Sequence, residues 1–520
     1  MNATAHQAHN ITSEHLPREA AEKGRFGSEV TSHNNAGHPN EADKGEGRHI
    51  SGPAGRMNEL DHDRRLNGMI KQAGEADDWK IEKYFARECD DPLAHAFDGK
   101  IAVHPGVGGS RIAPEAIPGM MQPLLDQPRK GESVAYIHVP FCETHCLYCG
   151  FFNQAYRKEE SARYTDALIK ELAFWEGRAA QEQGPVHAVY FGGGTPTALE
   201  APDLERLLKA VRRHLPLAND CEITIEGRLH NFGQDKMEAC FEGGANRFSL
   251  GVQTFDTKIR QTMCRLADRE EVLRRLELLM SYQQAAVIVD LIFGFPMQTM
   301  ETWLDDIETA KAIGLDGMDC YQLNVYGQTP LGKAIKEGKL PPAADIPMQS
   351  AMFKAAVEKL TSSFYRRLSL THWARTSRER NFYNLKVKGR ANCLAFGPGA
   401  GGNLAGWFYI NQHNYQKWME GVNAGVKPVM MLNQPNPHFS FFRAVAEAME
   451  QGWVDFDQLE KTYGVTVREA LAPLLEQWER AGVIEMREGV MVLTLAGQFW
   501  QVNLSQLLQD FLKHHLEAAR

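Results

Sequence analysis

The 520-residue chain has few cysteines, no long basic run and fewer basic than acidic residues. Nine cysteines in 520 residues are too few for a disulfide scaffold of the kind found in small secreted domains. The formal net charge is -9, and lysine and arginine are not clustered, which argues against a general nucleic-acid binder because phosphate contacts need clustered cations. We therefore expect a small-molecule or protein partner and no nucleic acid.

The sequence also lacks the features that direct a chain into or across a membrane. It contains no run of about 18 uncharged apolar residues. Its start, MNATAHQAHN, has neither the basic first part nor the apolar core of a secretion signal. We therefore expect a cytoplasmic protein with no membrane contact. With 43% hydrophobic residues, the chain is long enough to form several domains.

Four regions differ in composition along the chain. Residues 1–65 have no apolar period and contain seven of the 19 histidines, which predicts a disordered extension. This extension is either a metal- or heme-collecting tail or simply a solvated segment. We interpret 66–130 as a lead-in segment, 131–370 as the main α/β domain and 371–520 as a mainly helical C-terminal domain.

Short apolar runs alternate with amphipathic stretches in the main domain. Six runs are predicted as strands, at 134–139, 188–191, 222–226, 247–252, 286–293 and 318–325. The stretches between them, such as APDLERLLKAVRRHL, predict crossover helices and therefore parallel strands. Six units predict an α/β fold with an open, partial (β/α)6 barrel. In parallel folds the chemistry gathers at the carboxyl ends of the strands.

Past residue 370 the alternation stops. The glycine-rich segment AFGPGAGGNLAGW leads into helical stretches, and VIEMREGVMVLTLAG follows with the pattern of a small β-wing. This outline predicts a winged-helix-like module. The segment carries more acidic than basic residues, so we favour a lid or a substrate-docking role over DNA binding.

Three cysteines stand close together directly after the first predicted strand. The segment YIHVPFCETHCLYCGFF spaces Cys142, Cys146 and Cys149 as Cys-x3-Cys-x2-Cys, which lets one loop hold one face of a 4Fe-4S cluster. Three ligands leave one iron open for a chelating substrate, as in enzymes that cleave S-adenosylmethionine (SAM) reductively. A zinc site is the alternative, but zinc prefers four closed ligands and His145 is the one further candidate nearby. We predict these three cysteines as metal ligands and as the catalytic centre.

A glycine-rich turn, FGGGTPTAL, follows the second predicted strand. Consecutive glycines let a ligand approach the backbone without hindrance from side chains. Such a turn is weak evidence by itself. Together with the cysteines it predicts that Gly193, Gly194 and Thr195 contact SAM.

Over about residues 130–510 these motifs resemble the family of oxygen-independent coproporphyrinogen III dehydrogenase, whose relatives include a heme chaperone and heme-opening methyltransferases. The resemblance lies in YIHVPFC, GGGTP, the acidic end of strand three, RFSLGVQTF, a basic residue twelve positions later and an aspartate on strand five. It implies that two SAM molecules share the site. The residues that the resemblance implies around the first SAM are Tyr136, Gly193 and Glu226. Those implied around the second are Tyr148, Gly194, Thr195, Gln253, Arg265 and Asp290. Helix capping by the two acidic residues and a surface ion pair of Arg265 are the structural alternatives.

Departures from the family pattern indicate a branch. Gly150, Phe151 and Phe152 follow Cys149, where the coproporphyrinogen enzyme has a further cysteine, and IEGRLHNF, GPGAGGN and HWARTSRERNFYN resemble the heme-utilisation branch. This resemblance implies a methyltransferase that opens heme to a linear tetrapyrrole, anaerobilin, and releases iron for acquisition. A SAM-derived radical would take a hydrogen from the methyl group of the second SAM, and the carbon radical would attack a meso carbon. The implied electron donor is flavodoxin or a similar low-potential protein.

Residues 372–384 are a candidate wall of a heme pocket. They offer apolar rings for the macrocycle and arginines for the propionates: Trp373, Arg375, Arg378, Arg380, Phe382 and Tyr383. Candidate iron ligands are His372, His413 and Cys393, although each of these residues also suits structural packing. Two other functions stay open at this point, a coproporphyrinogen III dehydrogenase and a heme chaperone that binds heme and SAM without turnover.

Overall fold

The computed structural model describes residues 80–101 and 109–518. The predicted disordered extension, residues 1–65, and part of the lead-in segment lie outside the described residues. The described part contains a thirteen-stranded sheet, a three-stranded sheet and a two-stranded sheet. None of its helices is long and apolar enough to cross a membrane.

The strands are numbered in chain order. They are β1 (Gly109–Arg111), β2 (Ser133–Val139), β3 (Phe141–Cys142), β4 (Gln154–Ala155), β5 (Val186–Gly193), β6 (Leu217–Gly227), β7 (Arg247–Gln253), β8 (Ala286–Phe293), β9 (Gly317–Gln322), β10 (Arg366–Arg367), β11 (His372–Ala374), β12 (Asn392–Phe396), β13 (Gly401–Leu404), β14 (Trp407–Asn411), β15 (Val429–Pro435), β16 (Trp453–Val454), β17 (Ile484–Arg487) and β18 (Val490–Leu493).

The helices are numbered in the same way. They are α1 (Pro92–His95), α2 (Ile117–Leu125), α3 (Lys158–Leu172), α4 (Ala179–Glu182), α5 (Ala201–His214), α6 (Gln234–Gly243), α7 (Thr257–Thr262), α8 (Arg269–Ser281), α9 (Met300–Ile313), α10 (Pro330–Lys336), α11 (Ile346–Ser362), α12 (Phe382–Lys388), α13 (Tyr415–Asn423), α14 (Phe439–Gln451), α15 (Phe456–Tyr463), α16 (Arg468–Arg480), α17 (Leu495–Phe499) and α18 (Gln501–Ala518).

Six parallel strands form the partial barrel. They lie side by side in the order β2, β5, β6, β7, β8 and β9. Each of the six predicted apolar runs falls on one of these strands, so the predicted (β/α)6 partial barrel is confirmed. The fifth run, 286–293, has the same bounds as β8.

The large sheet continues past residue 370, where the sequence predicted a separate domain to begin. Strand β12 pairs in parallel with β2, and β13, β14 and β15 extend the sheet in antiparallel fashion. Strand β12 escaped the sequence analysis because all five of its residues are buried, which removes the alternation of apolar and polar residues. The domain boundary near 370 stays a prediction, whereas the sheet itself runs on to Pro435.

A buried ion pair fastens this extension to the barrel. Glu171 on α3 lies 3.0 Å from the ammonium of Lys427, and both side chains are almost completely buried. The same carboxylate accepts hydrogen bonds from the backbone N–H of Gly397, the amide of Asn411 and the indole of Trp418. A buried carboxylate with this many donors is satisfied, so it stabilises the junction.

Helix α12 fills the amino end of the barrel interior. The ring of Tyr383 stacks on that of Tyr190, with 4.7 Å between the centroids, and lies 6.0 Å from that of Tyr136. Val134 and Cys393 pack in the same cluster. The open end of the barrel is therefore the carboxyl end, where the cysteine loop lies.

The C-terminal segment has the predicted winged-helix-like form. Helices α14, α15 and α16 accompany a small sheet in which β18 lies between β16, which follows α14, and β17, which follows α16. The lead-in segment packs on this module, because the Trp478 indole donates to the carbonyl of Tyr84 and Gln477 exchanges two hydrogen bonds with the backbone of Ala86.

Candidate active site

The cysteine loop leaves β2 at the open end of the barrel. Cys142 and Cys146 are almost fully buried, and Cys149 is half-buried. Burial raises the pKa of the Cys142 and Cys149 thiols, and the neighbouring thiols add to this effect, so the three sulfurs lie near one another. Burial acts in the same direction on Cys146, but Arg265 and Arg228 bring the pKa of this thiol below its usual value.

Each of the three sulfurs has a hydrogen-bond donor beside it. Thr195 Oγ1 lies 3.4 Å from Cys142 Sγ, and Arg265 Nη1 lies 3.6 Å from Cys146 Sγ. The backbone N–H of Phe151 donates to Cys149 Sγ over 3.3 Å. Donors of this kind stabilise thiolates and orient them as ligands, so the donor set fits an iron-sulfur cluster.

His145 does not complete a tetrahedral zinc site with the cysteines. Its Nε2 lies 3.3 Å from the carbonyl oxygen of Cys149, and its ring stacks on Phe152 at 4.3 Å. Within residues 80–101 and 109–518, no group of three or more His, Cys, Asp or Glu residues is arranged to hold a single metal ion.

The glycine-rich turn packs tightly between the cysteine loop and strand β6. A Cβ on Gly192 would lie 2.8 Å from Glu226 Oε2, and one on Gly194 would lie 2.5 Å from the carbonyl oxygen of Phe141. Gly193 also has a φ of 109°, which disfavours any residue with a side chain. Glycine is therefore required here by the packing of the protein itself, in addition to the ligand approach that the sequence indicated.

Glu226 lies near the end of β6 and Asp290 lies in the middle of β8, with β7 between the two strands. Burial, together with the charge of Asp290, raises the pKa of Glu226 to about 8. Burial and the adjacent Asp319 raise the pKa of Asp290 to about 7, and Ser249 Oγ lies 3.3 Å from Asp290 Oδ1. Two carboxyl groups with raised pKa values suit a ligand that supplies an ammonium or hydroxyl groups.

Gln253 lies at an irregular position in strand β7. Its φ is 73°, and the register with β8 shifts between Gly251 and Gln253. Its buried Oε1 has no hydrogen-bond partner among the residues that the structure describes. An unpaired buried acceptor is costly, so this atom fits a ligand donor. Nearby, Arg265 Nη1 lies 3.3 Å from Tyr148 Oη and also contacts Cys146, which joins two predicted SAM residues to the cysteine loop.

Tyr136 points to a residue that the sequence analysis did not select. Its hydroxyl lies 3.2 Å from His138 Nδ1, and burial lowers the pKa of His138 to about 4. His138 is two positions after Tyr136 on the same strand and therefore on the same face, which is the signal that identifies it. Most of the predicted SAM residues lie toward the carboxyl end of the barrel, whereas Tyr136 lies midway along β2 and contacts the Tyr383 cluster. Contact of these residues with SAM stays a prediction.

Arg228 is the second residue that the sequence analysis missed. It follows Glu226 by two positions, its Nη1 donates to the carbonyl oxygen and hydroxyl of Thr144, and its Nη2 lies 3.7 Å from Cys142 Sγ. The segment IEGRLHNF contains this residue, but a lone arginine after a strand carries no signal for a sulfur contact.

Two arginines of the 372–384 stretch bind oxygen atoms of the barrel itself. Arg378 donates to the carbonyl oxygens of Gln283 and Ala285, directly before β8, and Arg380 pairs with Asp220 near the start of β6. They lie at the amino end of the barrel, opposite the cluster loop, because the chain passes under the barrel after β11. Arg378 and Arg380 therefore lie away from the cysteine loop, and a heme pocket formed by residues 372–384 stays a prediction.

Both ring nitrogens of His372 also have partners within the protein. Its Nδ1 lies 2.8 Å from Asp319 Oδ2 and its Nε2 lies 3.0 Å from Glu379 Oε1. Burial lowers the pKa of His372, but the two carboxylates outweigh burial and raise it to about 9. Both ring nitrogens face carboxylates, so His372 does not suit an iron ligand. Cys393 is buried in the Tyr383 cluster, and His413 Nδ1 lies 3.1 Å from Met430 Sδ.

Comparison with known proteins agrees with this geometry. The profile of the radical SAM superfamily matches residues 136–310. An anaerobilin synthase from Escherichia coli O157:H7 is 40% identical over 439 residues, which cover 83% of this chain and 96% of that protein. The chain belongs to the radical SAM superfamily, in the family of anaerobilin synthase. Membership implies a 4Fe-4S cluster and SAM in this radical SAM protein.

Other relatives place this radical SAM chain in the HemN-like group. The heme chaperone HemW of Synechocystis sp. is 31% identical and covers 68% of this chain and 83% of its own. The oxygen-independent coproporphyrinogen III oxidase of Pseudomonas aeruginosa is 24% identical, covering 84% and 96%. The structure of coproporphyrinogen III oxidase (HemN) from Escherichia coli matches with a TM-score of 0.67 at 21% identity, covering 79% of this chain and 96% of that one. This last likeness concerns the fold alone.

Proposed function

We propose that this radical SAM protein opens heme anaerobically by SAM-dependent radical methylation and releases iron and the linear tetrapyrrole anaerobilin. The observation that carries the proposal is the 40% identity to an anaerobilin synthase over 96% of that protein. The arrangement at the carboxyl end of the barrel supports it, because three thiols with donors at their sulfurs lie beside carboxyl and amide groups that suit SAM.

Cys142, Cys146 and Cys149 would hold a 4Fe-4S cluster, which when bound would supply the electron for reductive cleavage of SAM. Glu226 and Gly193, at the inner side of the glycine-rich turn, are proposed to hold the first SAM. This turn has no room for side chains, so it keeps the ligand close to the backbone.

A second SAM is proposed as the methyl source. The methyl group of this second SAM would give a hydrogen atom to the adenosyl radical, forming 5'-deoxyadenosine, and the carbon radical would add to a meso carbon of heme. One further electron from the low-potential donor and cleavage of the carbon–sulfur bond, with S-adenosylhomocysteine as the leaving group, would complete the transfer. Arg265 is proposed to pair with the carboxylate of this second SAM. The unpaired Oε1 of Gln253 is proposed to accept a hydrogen bond from a donor group of the same SAM molecule. Asp290, whose pKa is raised to about 7, is proposed to bond its hydroxyl groups or ammonium.

Heme is proposed to bind at the open carboxyl end. A cavity between strand β9 and helices α12 and α14, beside Asp319 and Tyr321, holds about 60 Å³. Ligand pockets generally begin near about 300 Å³, so this cavity is too small for a porphyrin. The loops at the carboxyl end expose apolar side chains that suit a macrocycle, with Phe151 83% exposed and Leu266 56% exposed.

The test is an anaerobic incubation of the cluster-reconstituted protein with heme, SAM and a low-potential reductant, with flavodoxin as one donor. We expect loss of the heme absorption band, formation of 5'-deoxyadenosine and a methylated linear tetrapyrrole in the mass spectrum. Cys146→Ala is the inactive control. The 31% identity to a heme chaperone favours one second candidate, a carrier. Bound, intact heme with little SAM consumed would support the carrier and contradict the enzyme.

A parallel incubation with coproporphyrinogen III distinguishes heme opening from the coproporphyrinogen III dehydrogenase reaction. Decarboxylated product from this substrate, without any loss of heme, would assign the chain to the coproporphyrinogen reaction. The proposal expects no product from this arm.

A further inference from the structure

Arg228 is fixed in place by the turn that precedes helix α5. It is the first residue after strand β6, and its backbone N–H donates to Thr197 Oγ1 over 3.1 Å. The same hydroxyl donates to the carbonyl oxygen of Arg228 over 3.2 Å. This pair of bonds joins the end of β6 to the glycine-rich segment and sets the direction in which the arginine leaves the strand.

The side chain of Arg228 crosses to the cysteine loop. Nη1 lies 2.9 Å from both the carbonyl oxygen and the hydroxyl of Thr144, which is the middle one of the three residues between the first two cysteines. Nη2 lies 3.7 Å from Cys142 Sγ. One planar guanidinium therefore binds the loop backbone and a ligand sulfur together, which a lysine with its single point charge cannot reproduce.

Arg228 and Arg265 approach different sulfurs of the same loop. Arg265 Nη1 lies 3.6 Å from Cys146 Sγ, whereas Arg228 is on the side of Cys142. Two cations beside three thiols favour additional negative charge at this place.

We propose that Arg228 positions the cysteine loop and raises the reduction potential of the cluster that Cys142, Cys146 and Cys149 bind. A reduced cluster carries one more negative charge than an oxidised one, so a nearby cation stabilises the reduced form. Net charge and hydrogen bonds to the sulfurs are general determinants of cluster potential. This inference rests on cluster binding by the three cysteines and is independent of which substrate the enzyme converts.

The experiment is a redox titration of the reconstituted full-length protein, followed by electron paramagnetic resonance, without SAM and without heme. Four variants are compared with the wild type. They are Arg228→Gln, Arg228→Lys, Thr195→Val and, as a surface control, Arg206→Gln, whose guanidinium pairs with Asp166 and Asp203. Iron and sulfide per chain are measured for each.

The expected midpoint potentials fall in a fixed order. Arg228→Gln removes a charge and a hydrogen bond to Cys142, so its potential shifts furthest in the negative direction. Thr195→Val removes one neutral hydrogen bond to the same sulfur and shifts the potential less. Arg228→Lys keeps the charge and stays above Thr195→Val, and Arg206→Gln equals the wild type.

A merely structural role for Arg228 gives a different result. Arg228→Gln with a full cluster and the wild-type potential would overturn the proposal. Where the glutamine variant does not retain its cluster, Arg228→Lys decides, because a potential at or below that of Thr195→Val contradicts a role for the charge. No heme enters the titration, so failure of this inference is distinct from failure of the proposed function.

Discussion

Two groups of polar and charged side chains lie inside the barrel, and they differ in how completely they are paired. In the first, the Glu379 carboxylate accepts three hydrogen-bond contacts from Arg247 and one from His372, and all three side chains are buried. In the second, at the carboxyl end, the Oε1 atom of Gln253 has no partner among the described residues, and Glu226 has a raised pKa. Paired buried charges hold a structure together, whereas unpaired ones are the groups that a ligand completes.

The largest effect is expected at the cysteine loop. Cys146→Ala removes one of three cluster ligands, so we expect loss of the cluster and complete loss of SAM cleavage. Iron and sulfide analysis and 5'-deoxyadenosine formation measure both. Cys89→Ala, a cysteine outside the site, is the matched control. A Cys146→Ala protein with a full cluster and wild-type turnover would contradict the assignment.

The paired network is expected to govern stability. Glu379→Ala leaves Arg247 and His372 buried without their shared carboxylate, and breaking a buried pair in this way costs about 3–5 kcal/mol of unfolding free energy. Denaturant unfolding measures this change. Glu485→Ala, which removes an exposed partner of Arg487, is the control and should change the midpoint very little. Equal midpoints for the two variants would break the distinction between the groups.

The groups at the carboxyl end, which include Asp290 and have fewer partners within the protein, are expected to govern binding instead. Asp290→Asn keeps the shape of the side chain and removes its charge, so we expect SAM affinity to fall by about tenfold or more, since one lost charge-assisted bond is worth about 1.5–3 kcal/mol. Calorimetry on the reconstituted protein measures the affinity. The unfolding midpoint should stay level or rise. A loss of stability as large as that of Glu379→Ala would place Asp290 in the structural group.

The pKa values predict the sign of a pH effect. The folded protein raises the pKa of Asp290 to about 7 from 3.8, so it holds this proton more tightly than the unfolded chain. The contribution of Asp290 to the unfolding free energy should therefore fall as pH rises from about 4 through 7. In Asp290→Asn this contribution should be absent. Denaturant unfolding at pH 5 and pH 8 measures the difference. Identical pH slopes for the two proteins would contradict the raised pKa.

The smallest effect is expected at the amino end. Arg378 is engaged with backbone carbonyl oxygens before β8, away from the cysteine loop. We expect Arg378→Gln to leave heme affinity within about twofold of the wild type, which is less than about 0.5 kcal/mol. Absorbance titration of heme checks this. A large loss of heme affinity would indicate that Arg378 binds a heme propionate at the amino end of the barrel.

The sequence predicts the elements that repeat and misses those that depend on long-range contact. Strand β8 and the cysteine loop follow from local patterns, an apolar run and a cysteine spacing. Strand β12 has no local pattern, since its buried residues gain their place by pairing with β2, more than 250 positions earlier. Arg228 is found only when the side chains around the cysteine loop are known, whereas the two-residue spacing from Tyr136 could have indicated His138.

The arginines after β11 show what composition alone leaves open. A stretch rich in aromatic residues and arginines has the composition of a heme pocket, yet composition does not say which end of the barrel it reaches. Here the arginines bind carbonyl and carboxylate oxygens at the amino end, and Tyr383 packs on Tyr190.

The most direct test of heme opening by SAM is anaerobic turnover of heme with SAM that carries a fully deuterated methyl group. Our account predicts deuterium in 5'-deoxyadenosine, from the hydrogen taken by the adenosyl radical, and a deuterated one-carbon unit in an open tetrapyrrole. Intact heme together with unlabelled 5'-deoxyadenosine would contradict it.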